Sequence, residues 1–373
     1  MLSPRYSRED ATVITAGQGQ TRIPVRSLWL LLVYASNLLP SLRTDERESL
    51  LSGSRDADLV DAIADVLVTE VERRLRNNLT PAYRIRSADM TRVRGSIDHL
   101  RTSANRLMDR GRIACRFDEL TVDTPRNQFI CTALRCSGRV VVSQELAARC
   151  TAAAFRMQRL GVTDHAPTRI EISKDRLGHH DRADQRVIDA ATLVLEMAVP
   201  AHLAGGRSVP VLSRDHGQLR RLFEKAVNGY FAHSLDRAEW SVSRPHLSWG
   251  AAGDAAALDL IPRLETDTVL DNQVAGRRII IETKFTNALG NHFGAMKIRP
   301  TYMFQLYAYV SVQARLRQSP GETTEGVLLF ALTEGQQSVD VEFTIETHRI
   351  RVMSVDLAGT PSEIRTQWQR CLH

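Results

Sequence analysis

The chain of 373 residues carries a formal net charge of +6, with 43% hydrophobic and 25% charged residues, which indicates a globular protein with enough length for two domains and argues against a disordered or fibrous one. This modest positive excess permits a nucleic-acid partner without establishing one. Five cysteines without C-x-x-C spacing fit the reducing cytoplasm rather than a disulfide framework, and no apolar stretch is long enough to cross a bilayer, so we expect a cytoplasmic protein without a membrane partner.

Helical patterns dominate the first half of the chain. Apolar residues between positions 59 and 75 recur every four positions, which is the spacing of an amphipathic helix. Gly95 predicts a turn or bulge in a mixed segment. The elements predicted in this half are a buried helix over 26–39, an amphipathic helix over 56–76, strands within 84–97, and helices over 127–135 and 144–160.

A polar stretch over 167–178 interrupts these patterns, and we place the connection between two domains there. The predicted domains are therefore an N-terminal domain over 1–165 and a C-terminal domain over 166–373. The C-terminal elements predicted in chain order are helices over 182–199 and 218–231, core strands, a helix containing Gln305, and strands near 327–330 and 339–343. This order predicts an α/β or α+β fold, in which a mixed domain of helices and strands precedes an α/β core around a mixed sheet.

The most informative segment is an apolar run, Ile279–Ile281, that is followed by Glu282, Thr283 and Lys284. It predicts a buried strand that carries two charges into the protein. Because side chains alternate along a strand, Glu282 and Lys284 point to the same face. Only four of the 49 basic residues are lysine, and a compact ammonium group suits a catalytic pocket better than a guanidinium. The alternative is an exposed ion pair on an edge strand.

A second acid, Asp267, lies 15 positions before Glu282. It belongs to a short strand candidate over 266–270, and turn signals follow at 271–273. Two strands joined by a short loop predict a hairpin that brings Asp267 close to Glu282. Two carboxylates beside an ammonium group are what metal-assisted cleavage of a phosphodiester requires. Asp259 remains open as the alternative acid.

Two helices carry further candidate residues. Gln305 and Tyr309 follow Pro300 in a helical pattern and, being four positions apart, share one helix face. They either face DNA beside a metal site or lie on an amphipathic helix that is packed by its aromatic residues. Glu224, on the helix predicted upstream, is either an accessory acid of the same site or a solvated surface acid.

An acid, a Glu-x-Lys strand and a Gln-x-x-x-Tyr helix, in this order, resemble the PD-(D/E)XK nuclease superfamily and in particular its RecB-like branch. The residues that carry the resemblance are Asp267, Glu282, Lys284, Gln305 and Tyr309. The sequence departs from the superfamily name, because threonine rather than proline precedes the first acid. This departure is why the choice between the two candidate aspartates stays open.

Segments of the N-terminal half resemble the McrC family. Together with two segments around the candidate site they extend from about residue 22 to about residue 310, and they are 22–35, 93–98, 115–127, 222–224 and 265–267. Members of that family supply the endonuclease subunit of modification-dependent restriction systems, which act in phage defence. Their partner is an AAA+ GTPase of the McrB type that recognises methylated DNA and translocates.

The resemblance implies a metal-dependent DNA endonuclease. Asp267 and Glu282, together with the carbonyl group of Thr283, would hold Mg²⁺, for which Mn²⁺ could substitute. Lys284 would orient the attacking water or stabilise the pentacovalent phosphorus. Gln305 and Tyr309 would position the DNA strand, and Glu224 would be accessory.

No GxxxxGK[ST] loop is present, so nucleotide binding is expected of the partner rather than of this chain. The N-terminal domain is expected to bind that partner and stimulate its GTPase, with arginines in 84–116 either reaching into the partner or serving as solvated or DNA-binding cations. Two other functions stay open. One is a stand-alone DNA repair nuclease of the RecB type, and the other is a non-catalytic adaptor that regulates an AAA+ partner.

Overall fold

A computed structural model of the chain describes residues 13–16, 21–36, 38–42, 56–174, 182–203, 216–292, 295–316, 321–332 and 336–373. The described residues form two compact units. The terminal unit contains those of residues 1–59 and 196–373, and the middle unit contains those of residues 60–195. The compact units thus divide the chain at other places than residue 165, and the division of function at that residue stays a prediction.

The terminal unit begins with a strand pair and a helix. Strand β1 (Val13–Ala16) pairs antiparallel with β2 (Thr21–Pro24), and helix α1 (Val25–Ala35) follows directly. The buried helix predicted over 26–39 therefore exists but ends earlier. A short 3-10 turn over Leu39–Ser41 follows, with Pro40 at its start. The helix ends at Ser36, whose backbone is extended and whose hydroxyl group donates to the carbonyl oxygen of Val33 at 2.7 Å.

The middle unit combines helices with a small sheet. The predicted amphipathic helix and the two helices after it are confirmed, with ends that differ by a few residues. The elements that lie wholly or mainly in this unit are α2 (Asp56–Asn77), β3 (Ala82–Met90), β4 (Ser96–Ile97), α3 (His99–Ala104), β5 (Ile113–Thr121), α4 (Pro125–Val140), α5 (Gln144–Arg159), α6 (Arg169–Lys174) and α7 (Arg182–Leu203).

The sheet of the middle unit is antiparallel with the strand order β3-β5-β4. The turn predicted at Gly95 is confirmed, because this residue has a φ of +67° and precedes β4 directly. A Cβ atom at Gly95 would lie 2.4 Å from the carbonyl oxygen of Arg116, so only glycine allows β4 to approach β5.

Helix α6 forms within the polar stretch over 167–178, where we place the connection between the predicted domains. Thr168 and Glu171 explain the helix. The Thr168 N–H and Oγ1 groups donate to Glu171 Oε2 at 2.7 and 2.8 Å, and the Glu171 N–H donates back to Thr168 Oγ1. This reciprocal capping arrangement is built from polar residues, which the hydrophobic pattern cannot detect. Residues 175–178 lie outside the described residues.

The remainder of the terminal unit contains the main sheet. Its elements are α8 (His216–Ser234), β6 (Trp240–Ser243), β7 (His246–Leu247), α9 (Ala255–Asp259), β8 (Leu264–Glu265), β9 (Thr268–Asn272), β10 (Arg277–Lys284), β11 (Leu289–His292), β12 (Ala295–Ile298), α10 (Pro300–Leu316), β13 (Thr323–Leu332), β14 (Asp340–Ile345), β15 (His348–Asp356) and α11 (Pro361–Gln369). Within these residues, six strands form one sheet in the order β14-β15-β13-β10-β9-β6.

The predicted α/β fold around a mixed sheet is confirmed. Strand β10 lies inside the sheet, parallel to β13 and antiparallel to β9, and β13 is parallel to β15. The antiparallel pairing of β9 with β10 is the predicted hairpin. A parallel pair needs a crossover, and α10 provides it between β10 and β13.

Both faces of β10 are buried. Ile280 packs with Leu306 and Val310 of α10 on one face. By strand alternation Ile279 and Ile281 point to the other face, and both are fully buried as well. A strand buried on both faces reads as a continuous apolar run, which is the Ile-rich pattern of this segment.

Helix α1 packs closely on α8 within the terminal unit. A Cβ atom at Gly229 would lie 1.9 Å from the carbonyl oxygen of Tyr34, so glycine is required where the helices meet. The Tyr34 ring makes edge contacts with Tyr230 and with Trp368 of α11, at centroid distances of 5.4 and 5.7 Å. This aromatic cluster holds the start and the end of the chain in one unit. No helix in the described part of the chain is long and apolar enough to cross a membrane.

Candidate active site

The carboxyl end of β10 brings two opposite charges together inside the protein. Lys284 Nζ donates a hydrogen bond to Glu282 Oε1 at 2.6 Å. The two residues are only 5% and 1% exposed, and they point to the same face as strand alternation predicts. The alternative of an exposed pair on an edge strand is therefore wrong, because β10 lies inside the sheet.

The hairpin places Asp267, which directly precedes β9, beside the same strand end. Asp267 Oδ2 accepts hydrogen bonds from the N–H group of Thr283 at 2.8 Å and from Thr283 Oγ1 at 2.7 Å. Thr283 thereby connects the two acids, since it follows Glu282 in β10. Asp259, the alternative acid, lies at the end of the exposed helix α9. The geometry favours Asp267 as the partner of Glu282.

The negative charge of Glu282 is unfavourable in this site. Burial and then the charge of Asp267 raise the pKa of Glu282 from 4.5 to about 7, although Lys284 acts in the opposite direction. Glu282 Oε2 is buried and has no hydrogen-bond partner among the described residues. A buried carboxylate oxygen without a partner is costly, so Oε2 is a candidate ligand for a cation or a candidate acceptor for a hydrogen-bond donor.

Lys284 is held on three sides. Besides its bond to Glu282, its ammonium group donates to Gln305 Oε1 at 3.0 Å. It also lies 5.1 Å from the ring centroid of Tyr302, and the guanidinium of Arg299 lies 5.9 Å from the same ring. Cations near an aromatic face are attracted by the ring quadrupole. The Tyr302 ring therefore fixes the direction in which the lysine reaches the site.

Gln305 and Tyr309 continue this network. Gln305 Nε2 donates to the hydroxyl oxygen of Tyr309 at 2.8 Å, and the Tyr309 hydroxyl donates to the carbonyl oxygen of Glu265 at 2.8 Å. Their shared helix face is as predicted. In the structure this face connects Lys284 to the backbone just before Asp267. A contact of these two side chains with DNA stays a prediction.

Glu224 lies on α8 and is 7% exposed, so the alternative of a solvated surface acid is wrong. Its two oxygens face two arginines. Arg220 Nε donates to Oε1 at 2.7 Å, and an Nη atom of Arg244 lies 3.7 Å from Oε2. The charge of Glu224 also contributes to the raised pKa of Glu282, after the larger effects of burial and Asp267, so α8 borders the candidate site.

Several residues at the site escaped the sequence analysis, namely Tyr302, Arg299, Asn228, Arg220 and Arg244. Asn228 Nδ2 lies 3.3 Å from the hydroxyl oxygen of Thr268, the residue after Asp267, and so ties α8 to β9. A signal existed only for Asn228 and Arg220, which lie four positions after and before Glu224 and share its helix face. Arg244 comes from a different element, and no local pattern points to it.

The residues present fit Mg²⁺. Among the described residues no group of three or more His, Cys, Asp or Glu side chains is arranged to bind a metal. Mg²⁺ does not need such a group, because it keeps several waters and is held by one or two carboxylates together with substrate phosphates. Asp267 and Glu282, with the unpartnered Oε2 atom, match that demand.

The mixed sheet is flanked by helices, and two acids and a lysine meet at one end of its interior strand β10. The protein is therefore an α/β protein with a candidate acid–lysine site. The family described as "McrBC 5-methylcytosine restriction system component" matches the chain over residues 3–329. The chain therefore belongs to the McrBC family of restriction-system components, and the resemblance to McrC noted from the sequence is confirmed at this level.

Two solved structures from Thermococcus gammatolerans are similar to the chain. One is a refined half-complex from a tetradecameric assembly of McrB AAA+ hexamers with bound McrC, at 12% identity and a TM-score of 0.45, covering 94% of this chain and 75% of that chain. The other is a cryo-EM structure of the McrBC complex, at 11% identity and a TM-score of 0.33, covering 51% of this chain and 61% of that chain. No curated protein matches the chain.

Proposed function

We propose that this chain is the metal-dependent DNA endonuclease subunit of a modification-dependent restriction system and has a PD-(D/E)XK nuclease core. The observation that carries the proposal is the buried, unpartnered Oε2 atom of Glu282, beside Lys284 and within electrostatic reach of Asp267. Stability alone does not account for two neighbouring buried acids of which only Glu282 bonds the ammonium group of Lys284. A divalent cation and a phosphodiester together balance these charges.

Asp267 and Glu282, with the carbonyl oxygen of Thr283, would hold the metal. Bound Mg²⁺, or Mn²⁺ in its place, supplies a water of lowered pKa and positive charge for the scissile phosphate. Lys284 keeps its ammonium group at the same strand end, where it orients the attacking water or donates to a phosphoryl oxygen as negative charge develops. Because this group is already fixed by Glu282 and Gln305, little reorganisation is needed during the reaction.

The aromatic residues and Gln305 serve the same reaction by restricting Lys284. Gln305 accepts from the ammonium group and is itself held by Tyr309, which is anchored on the backbone of Glu265. Tyr302 contacts Lys284 as a ring rather than as a hydrogen-bond partner, with the ammonium group 5.1 Å from the ring centroid. We expect Gln305 and Tyr309 to act in positioning the DNA strand through this network.

We also propose an AAA+ GTPase of the McrB type as the partner. Family membership supports it, and both similar solved structures are complexes of McrC with McrB. The sheet of the middle unit offers a surface for a protein. Tyr83 and Leu120 are paired across β3 and β5, and with Ile85 they are 77%, 57% and 56% exposed. Exposed apolar side chains grouped on one sheet are typical of a protein interface.

Two of the arginines near this sheet make close contacts within the middle unit. Arg86 donates to both carboxylate oxygens of Glu119, at 3.0 and 2.8 Å, and the Arg94 guanidinium lies 4.2 Å from the ring centroid of Phe117. These contacts stiffen the sheet and favour its use as a preformed surface. Replacing Tyr83 by Asp is expected to reduce stimulation of the partner GTPase while leaving metal binding unchanged, and unchanged stimulation would contradict this assignment of the surface.

The decisive test of the nuclease assignment replaces Glu282 by Gln, which keeps the size of the side chain and removes its charge. Glu325→Gln is the matched control, because Glu325 lies on the neighbouring strand β13 and pairs with Arg277 at the far end of β10. With partner, GTP and Mg²⁺ present, the Glu282→Gln protein should not cleave methylated plasmid DNA, whereas the control should cleave it.

A second readout does not depend on cleavage. Mg²⁺ should raise the melting temperature of the wild-type protein and of the Glu325→Gln control, because a ligand that binds only the folded state stabilises it. The rise should be absent in Glu282→Gln. Full cleavage by Glu282→Gln would overturn the nuclease assignment and would favour the adaptor function.

A further inference from the structure

Glu224 holds two arginines that come from different elements of the terminal unit. Arg220 lies one helical turn before Glu224 on α8, and its Nε atom donates to Glu224 Oε1 at 2.7 Å. Arg244 lies in the loop between β6 and β7, with an Nη atom 3.7 Å from Glu224 Oε2. A single carboxylate therefore faces two guanidinium groups, and this cluster has a net positive charge.

The exposure of the three side chains differs sharply. The side chain of Glu224 is 10% exposed, whereas those of Arg220 and Arg244 are 56% and 37% exposed. Within the described part of the chain, Arg220 makes no hydrogen bond through its Nη atoms, and Arg244 makes none at all. A guanidinium has five N–H donors, so most of these donors remain for a ligand in solution. Ion pairs with exposed arginines add little stability, so fold stability alone does not explain the cluster.

The cluster also borders the paired acids. The hydrogen bond that Arg220 donates to Glu224 raises the pKa of Arg220, and the charges of Asp267 and Glu282 raise it further. The guanidinium of Arg220 is therefore within electrostatic reach of both proposed metal ligands. Asn228 brings the same helix against the strand that follows Asp267.

We propose that Arg220 and Arg244 bind phosphate groups of the DNA strand next to the scissile phosphate, and that Glu224 positions both arginines instead of binding the metal. Planar guanidinium groups bind phosphate oxygens in pairs of hydrogen bonds. Such contacts place the backbone without reading the bases, which suits a nuclease whose specificity comes from a partner. The inference rests on the proposed nuclease function. It gives Glu224 a part in substrate binding through the two arginines, which differs from the role of an accessory acid at the metal.

The test measures binding of a fluorescently labelled DNA duplex to the full chain at increasing salt, with Ca²⁺ present. Arg220→Ala and Arg244→Ala should each weaken binding and reduce the slope of log K against log salt by about 1. Arg221→Ala is the matched control, because this neighbour on α8 is exposed and donates to the carbonyl oxygen of Gly217 instead. The control should keep the wild-type slope. Equal slopes for all four proteins, or no salt-dependent binding by the wild type, would overturn the phosphate site.

Glu224→Gln separates a positioning residue from a metal ligand. If Glu224 positions the arginines, Glu224→Gln should weaken DNA binding but keep the rise in melting temperature on addition of Mg²⁺, and its effect should not add to that of Arg220→Ala. Loss of that rise would make Glu224 a metal ligand and overturn the proposal. Circular dichroism checks that each variant folds.

The nuclease function has its own, distinguishable failure. Cleavage by Glu282→Gln would overturn that function, whereas the salt dependence of the arginine variants reports on phosphate binding alone. Reduced salt slopes for the arginine variants together with DNA cleavage by Glu282→Gln would keep the binding site and discard the catalytic one. Unchanged salt slopes for the arginine variants together with an inactive Glu282→Gln protein would discard the phosphate-binding site and keep the catalytic one.

Discussion

The two ends of strand β10 hold charged side chains in opposite ways. At the amino end, Arg277 donates to both oxygens of Glu325, at 2.7 and 2.9 Å, and Arg278 donates to Asp271 at 2.6 Å. Glu325 also accepts from Arg349 at 3.4 Å, so each carboxylate there bonds at least one guanidinium. Both pairs are largely buried, and their charges cancel.

At the carboxyl end the acids are not each paired with a cation. Glu282 bonds the ammonium group of Lys284 through Oε1, Asp267 accepts from Thr283 instead, and Glu282 Oε2 has no hydrogen-bond partner among the described residues. The pKa of Glu282 is raised to about 7 as a result of burial and of the charge of Asp267. Three residues of one strand, Ile279–Ile281, thus separate the two arrangements.

The contrast distinguishes charges that serve the fold from charges that serve a ligand. Balanced buried pairs are compatible with a stable fold, whereas an acid with a strongly raised pKa in a cleft is typical of a functional site. Proteins accept local instability where function needs it and compensate elsewhere. Five predictions test this contrast between the two ends of β10.

Removal of divalent metal should have the largest effect on DNA cleavage, because the acids at the carboxyl end of β10 would lose their ligand. EDTA should abolish DNA cleavage, and Mg²⁺ or Mn²⁺ should restore it. Ca²⁺ should support DNA binding with little cleavage, because it takes oxygen ligands in a larger and looser geometry. Gel assays of plasmid cleavage with the partner present measure this. Cleavage that continues unchanged in EDTA would mean that the paired acids do not serve a metal.

Replacement of the lysine should be nearly as severe. Lys284→Ala should reduce the cleavage rate by a factor of about 10² or more, because a preorganised charge at the reacting phosphate is lost. Asp267→Ala should have a comparable effect. Arg277→Ala, at the balanced end, should leave the rate per folded molecule unchanged. Single-turnover cleavage rates measure this difference. Equal rate losses for Lys284→Ala and Arg277→Ala would show that both substitutions act on activity only through stability.

Stability in EDTA should change in opposite directions at the two ends. Glu325→Gln should lower the free energy of unfolding by about 1–3 kcal/mol, because it leaves a largely buried guanidinium without its charged partner. Glu282→Gln should raise the free energy of unfolding, because it removes one of two neighbouring buried negative charges. Urea unfolding measures both values. Destabilisation by both substitutions would remove the distinction between the ends.

The gain from Glu282→Gln should also depend on pH. The carboxyl group of Glu282 holds its proton more tightly in the folded state, where its pKa is about 7, than at its ordinary value of 4.5. The wild-type protein therefore loses stability as pH rises through this interval, whereas the glutamine variant does not. In EDTA, the difference in melting temperature should be small at the acidic end and grow towards pH 8. A difference that shrinks with rising pH would contradict this assignment.

The smallest expected effect concerns the ring beside the lysine. Tyr302→Leu should lower the cleavage rate a few-fold, since a cation–π contact contributes about 0.5–2 kcal/mol. Tyr302→Phe keeps the ring and should retain most of the activity. Cleavage rates over a range of pH test the assignment, because a ring that only packs against Phe330 would not alter the pH profile. Equal rates and profiles for the two variants would exclude a role for the ring face.

The sequence was sufficient for features that depend on short-range geometry. Strand alternation placed Glu282 and Lys284 on one face, and helical spacing placed Gln305 and Tyr309 together. The turn residues after β9 predicted the hairpin that brings Asp267 to β10. These inferences hold because backbone sterics set periods of 2 and about 3.6 residues wherever the chain lies.

Other elements could not be read from the pattern. Helix α6 begins with a reciprocal polar cap that resembles a loop in composition, and β15 enters the sheet between β13 and β14. The assignment of α1 to the terminal unit rests on Gly229, which permits contact with Tyr34 across nearly 200 positions of sequence. Such features depend on how the elements pack, and the hydrophobic pattern of the sequence does not specify them.

By itself, the sequence determined the α/β class, the acid–lysine strand and the family resemblance, because each depends on local order along the chain. Only the tertiary structure decided that β10 is an interior strand, that Glu282 keeps an unpartnered oxygen, and that Glu224 lies buried between Arg220 and Arg244. Burial and charge balance are sums over neighbours from many elements, so they exist only once those elements have packed.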